Sequence, residues 1–287
     1  MGTEIAFCFL EGKMIEWRVI VSEKLSSAMN MAIDETILNG IIAGTSPPTI
    51  RFYDWLFPTA SYGYNQSWEK ELDLELVRKN NFDYVRRPTG GRLVLHYDEV
   101  TYAVIAPAVD QLSGNVIQSY SEISRALREG FLLMGLDVDL ERGELSTQHQ
   151  RENLNPCFTS SSRYELKYMN KKIAGSAQFR KKNVILQHGS ILLNHDQSKV
   201  ADILPGLSSE QRQRVGKYLS RKSTAINKNL KEGLSFSQAA EYLKRGFKMA
   251  WSADQFRHQE DFEDHEKKEI NQLISNRYSS DDWNKRK

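Results

Sequence analysis

Lys171-Lys172-Ile173-Ala174-Gly175-Ser176-Ala177-Gln178 and Val184-Ile185-Leu186-Gln187-His188-Gly189-Ser190-Ile191-Leu192-Leu193 are two runs of strand-forming residues on either side of Arg180-Lys181-Lys182-Asn183. With Tyr164 to Tyr168 ahead of them and Met169-Asn170 between, they predict three strands joined by tight polar connections, a β-meander. Alternation puts Lys172, Ala174 and Ser176 on one side of the middle strand and Ile173, Gly175 and Ala177 on the other. Small residues around a lysine leave room for a substrate chain to lie along the strand. Read alone, such a lysine is more often an edge-strand guard against aggregation, and a histidine beside a glycine, as in Gln187-His188-Gly189, is more often a structural hydrogen-bonding group.

Outward from the meander, the chain mixes strands and helices without a regular βαβ alternation. Residues 25–39 place Leu25, Ala28, Met29, Ala32, Ile33 and Ile37 at helical spacing, with Ser26 or Ser27 as cap and Gly40 beyond the end. Short strands are predicted at 49–53, 60–64, 83–87, 92–96 and 101–105, and a second amphipathic helix at Tyr120 to Met134, stopped by Gly135. Residues 142–155 are polar and aperiodic and read as a loop that delivers Pro156-Cys157. Ser235 to Trp251 repeats apolar residues at helical spacing. This order argues for an α+β domain, a mixed sheet flanked by helices. The same reading expects an extension over 1–13, a main domain over 14–254, the stretch read below as catalytic, and a charged, helical C-terminal appendage over 255–287.

Composition bounds the partners. The 287 residues are 40% hydrophobic and 26% charged, as in an ordinary globular protein. Thirty-nine basic against thirty-seven acidic residues leave +2, so no global field draws in nucleic acid or an anionic membrane. No stretch reads as a membrane span or a signal peptide. Two distant cysteines, Cys8 and Cys157, make neither a disulfide framework nor a zinc spacing, which suits a reducing cytoplasm. His96, His149 and His188 are not spaced as metal ligands.

Two further elements carry chemistry. Arg86-Arg87-Pro88-Thr89-Gly90-Gly91-Arg92 puts paired glycines between strands, where ligands can approach backbone amides, and flanks them with forked cationic donors. Alone it reads first as a hairpin turn with solvated arginines, and it lacks the Gly-Lys-Ser/Thr of a phosphate-binding loop. Cys157 lies in Asn155-Pro156-Cys157-Phe158, fifteen positions before Lys172. A thiol beside a cation becomes a thiolate nucleophile near neutral pH. An unpaired cysteine is more usually a small buried hydrophobe.

Read together with Asn30-Met31-Ala32-Ile33-Asp34-Glu35, Arg51-Phe52-Tyr53-Asp54-Trp55 and Ser61-Tyr62-Gly63-Tyr64-Asn65-Gln66, these ordered blocks resemble the biotin/lipoate protein ligase superfamily, and within it the cysteine-dependent octanoyltransferases. The resemblance runs from about Met14 to Trp251. It implies a mixed-sheet catalytic domain that moves octanoyl from acyl-carrier protein to a lysine of a lipoyl domain, such as the glycine cleavage H protein. It implies no cofactor and no metal, and nothing calls for more than a monomer. Carried over residue by residue, Cys157 takes the acyl group as a thioester, and Lys172 lowers the thiol's pKa and contacts the acyl carbonyl. Arg87, Gly90, Gly91, His96, Gly175, Ser176, His188 and Gly189 are expected to bind substrate, with Leu93 and Ile173 supplying apolar walls. Which histidine shuttles a proton stays open at this level.

Two relatives of that chemistry are alternatives. An ATP-dependent lipoate-protein ligase shares the lysine but needs no cysteine, and its glycine block usually has three glycines where this chain has Gly90-Gly91-Arg92. An amidotransferase moving octanoyl between lipoyl domains also uses a cysteine, in differently written blocks.

Overall fold

The computed structural model describes residues 14–141, 165–259 and 261–286. In chain order its elements are β1 (Glu16–Leu25), α1 (Ser27–Ala43), β2 (Thr49–Trp55), β3 (Thr59–Tyr62), α2 (Trp68–Glu71), α3 (Leu74–Lys79), β4 (Asp83–Arg86) and β5 (Val94–His96). There follow β6 (Glu99–Pro107), α4 (Val116–Leu133), β7 (Asp139–Glu141), β8 (Glu165–Tyr168), β9 (Lys171–Lys181) and β10 (Val184–Leu192). The last are α5 (Ser209–Lys222), α6 (Phe236–Ala250), β11 (Gln255–His258), α7 (Asp264–Leu273) and α8 (Asp281–Asn284).

The meander forms as its spacing predicts. β8, β9 and β10 are successive antiparallel neighbours, and β10 continues into an antiparallel pair with β6. Both connections are two-residue turns with positive φ at each central residue, 48° and 62° at Met169-Asn170 and 47° and 61° at Lys182-Asn183. That geometry matches the right-handed twist of the flanking strands. Among the described residues the main sheet has eight strands in the order β11-β1-β2-β6-β10-β9-β8-β7, and a second sheet has the order β4-β3-β5. Parallel pairs at β1–β2, β1–β11 and β3–β4 make the architecture mixed, the α+β class expected.

Helices cover both faces of the main sheet. On one face α4 and α6 pack Ile123, Leu127, Phe131, Leu243 and Phe247 against Phe52, Tyr102, Val104 and Ile185. On the other, α1 lays Met31, Ala32, Ile33, Ile37 and Leu38 over Ile20, Tyr53, Ala103 and Leu186. Ser26 caps α1 by accepting from the Met29 amide at 3.2 Å. The helix continues through Gly40 and ends at Gly44, whose φ of 76° is the left-handed cap that the sequence reading assigned one turn too early.

A second correction concerns residues 255–287, expected as a charged appendage. Gln255–His258 is the edge strand of the main sheet, parallel to β1, and α7 joins the core cluster under α1 through Ile270. The charges are the means of attachment: Arg18 of β1 donates to Glu266 at 2.9 Å with both side chains buried, and Arg277 and Tyr278 both reach Glu35. Trp283 is buried, donates its indole N–H to the Arg86 carbonyl at 2.8 Å, and lies under the Arg277 guanidinium, 3.9 Å from its ring centroid. Arg86 returns the contact, donating to the Trp283 carbonyl at 2.9 Å. Periodicity could not see this, because a few apolar side chains and several ion pairs do the anchoring. Trp283→Ala is expected to lower the free energy of unfolding by about 3–5 kcal/mol, read as a shift in the denaturant midpoint at unchanged slope; a shift too small to measure would mean the segment is not part of the cooperative unit.

Candidate active site

The meander, β2, β5 and β6 converge on one small cleft. Met31 comes from α1, Tyr53 and Trp55 from β2, Ser61 from β3, Val94 and His96 from β5, and Thr101 from β6. Lys172, Gly175, Ser176 and Ala177 of β9, His188, Gly189 and Ser190 of β10, and Arg87 and Gly91 complete the wall. Of the residues expected to act in catalysis or bind substrate, the cleft therefore gathers all except Gly90, which stands on the exposed outer side of its turn, and Cys157, which lies outside the described residues.

Lys172 reaches the cleft because β9 is irregular. Leu166 pairs with Ala174 but Lys167 pairs with Lys172, so Ile173 is an extra residue in β9. Such a bulge resets the alternation. Ile173 and Ala174 consequently both enter the apolar core, while Lys172, Gly175 and Ala177 share the cleft side. This replaces the expectation of Lys172, Ala174 and Ser176 on one side, and it removes Ile173 as a wall. Leu93 likewise packs into a separate core beneath the small sheet, and Val94 lines the cleft instead. The Lys172 ammonium is 3.1 Å from a Glu165 carboxylate oxygen, and both residues are buried.

The glycines serve proximity. A Cβ on Gly189 would lie 2.6 Å from the Gly175 carbonyl oxygen and 2.7 Å from the Tyr102 ring, so only glycine lets β9 and Tyr102 close over β10. Gly91 has φ of 93°, and a side chain there would meet the Arg87 guanidinium at 2.7 Å. Arg87 itself donates to the Gly90, Arg92 and Ser61 carbonyls at 2.8, 2.7 and 2.9 Å. The forked donors that the sequence offered to an anion brace the glycine turn from within. Ser176 accepts from the Tyr102 hydroxyl at 2.7 Å.

Both histidines are set between a buried carboxylate and a hydroxyl. His188 Nδ1 is 3.0 Å from Asp34 Oδ2 and its Nε2 is 2.7 Å from Thr89 Oγ1. His96 Nδ1 is 2.7 Å from Glu99 Oε1, its Nε2 is 2.7 Å from Ser61 Oγ, and its ring stacks on Trp55 at 4.3 Å. Asp34 also accepts from Arg51 and from the Tyr53 hydroxyl. Burial works to raise the Asp34 pKa, but the Arg51 charge and the His188 contact outweigh it and hold the carboxyl below its ordinary 3.8. Burial pushes His188 below its ordinary 6.5 despite the opposing pull of Asp34. None of these partners was singled out by sequence, although a carboxylate on the core side of α1 is itself a signal. Among the described residues no group of three or more His, Cys, Asp or Glu is arranged to hold a metal.

A model of the lipoyl protein ligase A/B catalytic domain matches residues 26–248, spanning every element of the cleft. The chain belongs to that family. The family relationship is close at the sequence level: the octanoyltransferase LipM of Anoxybacillus flavithermus is 40% identical over 277 residues, covering 93% of this chain and 97% of its own. The octanoyltransferase LipM of Bacillus subtilis is 39% identical with the same coverages. The fold recurs in a bipartite lipoate protein ligase of Thermoplasma acidophilum, with TM-score 0.76, 23% identity, and 94% of this chain and 96% of that one covered. It recurs too in lipoate-protein ligase A bound with ATP, with TM-score 0.74, 23% identity, and coverages of 94% and 99%. Among the described residues no helix is long and apolar enough to cross a membrane.

The two shifts fix a pH dependence. Folded-state values below the ordinary ones mean that the unfolded chain takes up protons first as pH falls. The contribution of neutral His188 is therefore full above about 6.5 and lost below it, and that of Asp34 is lost below about 3.8. His188→Gln is expected to flatten the plot of unfolding free energy against pH just below 6.5, by up to about 1.4 kcal/mol per pH unit. Asp34→Asn, which strands the buried Arg51 cation, is expected to cost about 3–5 kcal/mol.

Proposed function

We propose that this chain is an octanoyltransferase of lipoate biosynthesis that works without ATP, taking octanoyl from acyl-carrier protein onto Cys157 and passing it to a lysine of a lipoyl domain such as the glycine cleavage H protein. Octanoyl transfer is supported by relatives of that name aligned over nearly the whole chain. The observation that carries the mechanism is the position of Lys172, a buried ammonium on the cleft wall. Glu165, its partner, is also the cross-strand neighbour of Glu141, so the chain leaves and re-enters the sheet beside Lys172 on either side of residues 142–164. Cys157 is eight residues from Glu165, a reach of at most about 28 Å.

The chemistry balances without an activating nucleotide. A thioester donor already carries the acyl group at high transfer potential. The Cys157 thiolate adds to the donor carbonyl, the C–S bond to the carrier breaks, and the carrier thiol leaves; the acceptor amine then forms the amide and releases Cys157. Lys172 stabilises the thiolate by proximity of charge and can hold the acyl oxygen as it becomes negative. Arg87, Gly91, His96, Gly175, Ser176, His188 and Gly189 shape and line the acyl site, with Met31, Tyr53, Trp55 and Val94 as its apolar lining. A free thiol nucleophile suits the reducing cytoplasm.

Incubation with octanoyl acyl-carrier protein is expected to add one octanoyl group by intact mass, and Cys157→Ser to abolish the adduct. No adduct, together with ATP-dependent attachment of free lipoate to an H protein, would reject the transferase in favour of a ligase. Lys172→Ala is expected to slow alkylation of Cys157 by iodoacetamide at neutral pH about tenfold or more, the effect of roughly one unit in thiol pKa; unchanged alkylation would remove the charge coupling.

A further inference from the structure

The two imidazoles on the cleft wall look alike, and their surroundings make them different. Glu99 is fully buried and acts only as an acceptor: Thr101 donates to Oε1 at 2.5 Å, Ser190 donates to Oε2, and His96 Nδ1 lies 2.7 Å from Oε1. The Thr101 hydroxyl already accepts from the Trp55 indole N–H at 2.7 Å, so its own proton goes to Glu99. Both Glu99 oxygens accept from hydroxyls, so the hydrogen of the shared Oε1 contact is placed on His96 Nδ1, and Nε2 presents its lone pair. Ser61 Oγ, 2.7 Å from that lone pair, accepts from Arg87 Nη1 at 3.2 Å and so points its own proton at His96. The chain of donors has one direction, Arg87 to Ser61 to His96 to Glu99. It ends on a carboxylate with no Arg or Lys partner among the described residues.

His188 has the opposite setting. Its carboxylate, Asp34, is already neutralised by the buried Arg51, and its Nε2 faces Thr89, which is fully buried and does not line the cleft. A proton added there would face an already compensated pair. A proton added to His96 would face Glu99, whose other partners are the Thr101 and Ser190 hydroxyls, the arrangement in which a buried carboxylate orients an imidazole and stabilises the imidazolium that forms. Ser61 and His96 both line the cleft. The charged and titratable groups around them are Glu99 on Nδ1, Arg87 across Ser61, and Lys172 and His188 on the facing strands.

We propose that Ser61 and His96, oriented by Glu99, are the relay that accepts the proton of the acceptor amine in the second half of the reaction, an inference that rests on the acyl-enzyme reading above. As the neutral amine adds to the thioester carbonyl a C–N bond forms, and the nitrogen gives a proton to Ser61 Oγ while the Ser61 proton moves to His96 Nε2. The C–S bond then breaks with its electron pair on sulfur, and the imidazolium returns its proton to the departing thiolate. Glu99 is a positioning residue: it fixes the tautomer and the charge. His188 is a strut.

The test separates the half-reactions. Acyl loading from octanoyl acyl-carrier protein and acyl transfer from the preloaded enzyme to an H protein are timed by quench and intact mass. His96→Gln and Glu99→Gln are expected to slow transfer by about 100-fold or more beyond any effect on loading, the range of a lost general base. Hydroxylamine, whose weakly basic nitrogen becomes acidic enough in the adduct to lose its proton to water, is expected to recover transfer in both variants to within about tenfold of the native protein. His188→Gln is expected to change loading and transfer in equal proportion. Equal loss of both half-reactions in His96→Gln, or no recovery with hydroxylamine, would overturn the relay while leaving the acyl-enzyme intact. Absence of an adduct on the native protein would overturn both.

Discussion

The Asp34 carboxylate is the interaction on which the cleft depends. It is fully buried, and it holds Arg51 and Tyr53 of β2 and His188 of β10 to helix α1 through one pair of oxygens. Arg51 spends further donors on the Asn30 carbonyl and side chain, each at 3.2 Å, so the guanidinium is tied to the same helix twice. Burying this charge costs several kcal/mol per ion unless it is paired and hydrogen-bonded, so α1, β2 and β10 are constrained to one relative placement. Met31 and Tyr53, and His188 with Gly189, reach the cleft as a consequence.

Glu99 repeats the motif behind His96, in the wall of the same cleft, with one part missing. Where Asp34 has a guanidinium, Glu99 has hydroxyls from Thr101 and Ser190 and an imidazole. Hydroxyls satisfy a carboxylate without cancelling its charge. The difference between a pair that is electrically closed and one that is open to a proton is what separates a structural histidine from a reactive one, and neither spacing nor residue type carries it.

Much of the fold was legible. Alternating runs broken by Met169-Asn170 and Lys182-Asn183 predict the meander because a two-residue turn leaves the strands no other partner. Apolar spacing in α1, α4 and α6 marks faces that are indeed buried. The failures have identifiable causes. The bulge at Ile173 redirected β9 because register is a property of two strands. Residues 255–287 looked detachable because Arg18–Glu266, Arg277–Glu35 and the Arg86–Trp283 exchange are long-range pairings between charged or isolated residues. Of the site, Lys172, His96, His188 and the glycines were visible by type and context. Asp34, Arg51 and Ser61 stood inside recognisable blocks without any role, and Glu99 stood outside all of them.

By itself the sequence determined the mixed α+β class, the meander, and the set of chemically capable residues, since periodicity and turn chemistry act over a few neighbours in the chain. Only the tertiary structure decided which of those residues meet. Asp34 and His188 are 154 positions apart, and Thr89 and His188 are 99. The distinction between the two histidines rests on the charge each carboxylate has beside it, a balance made by elements brought together only when the sheet and its helices close.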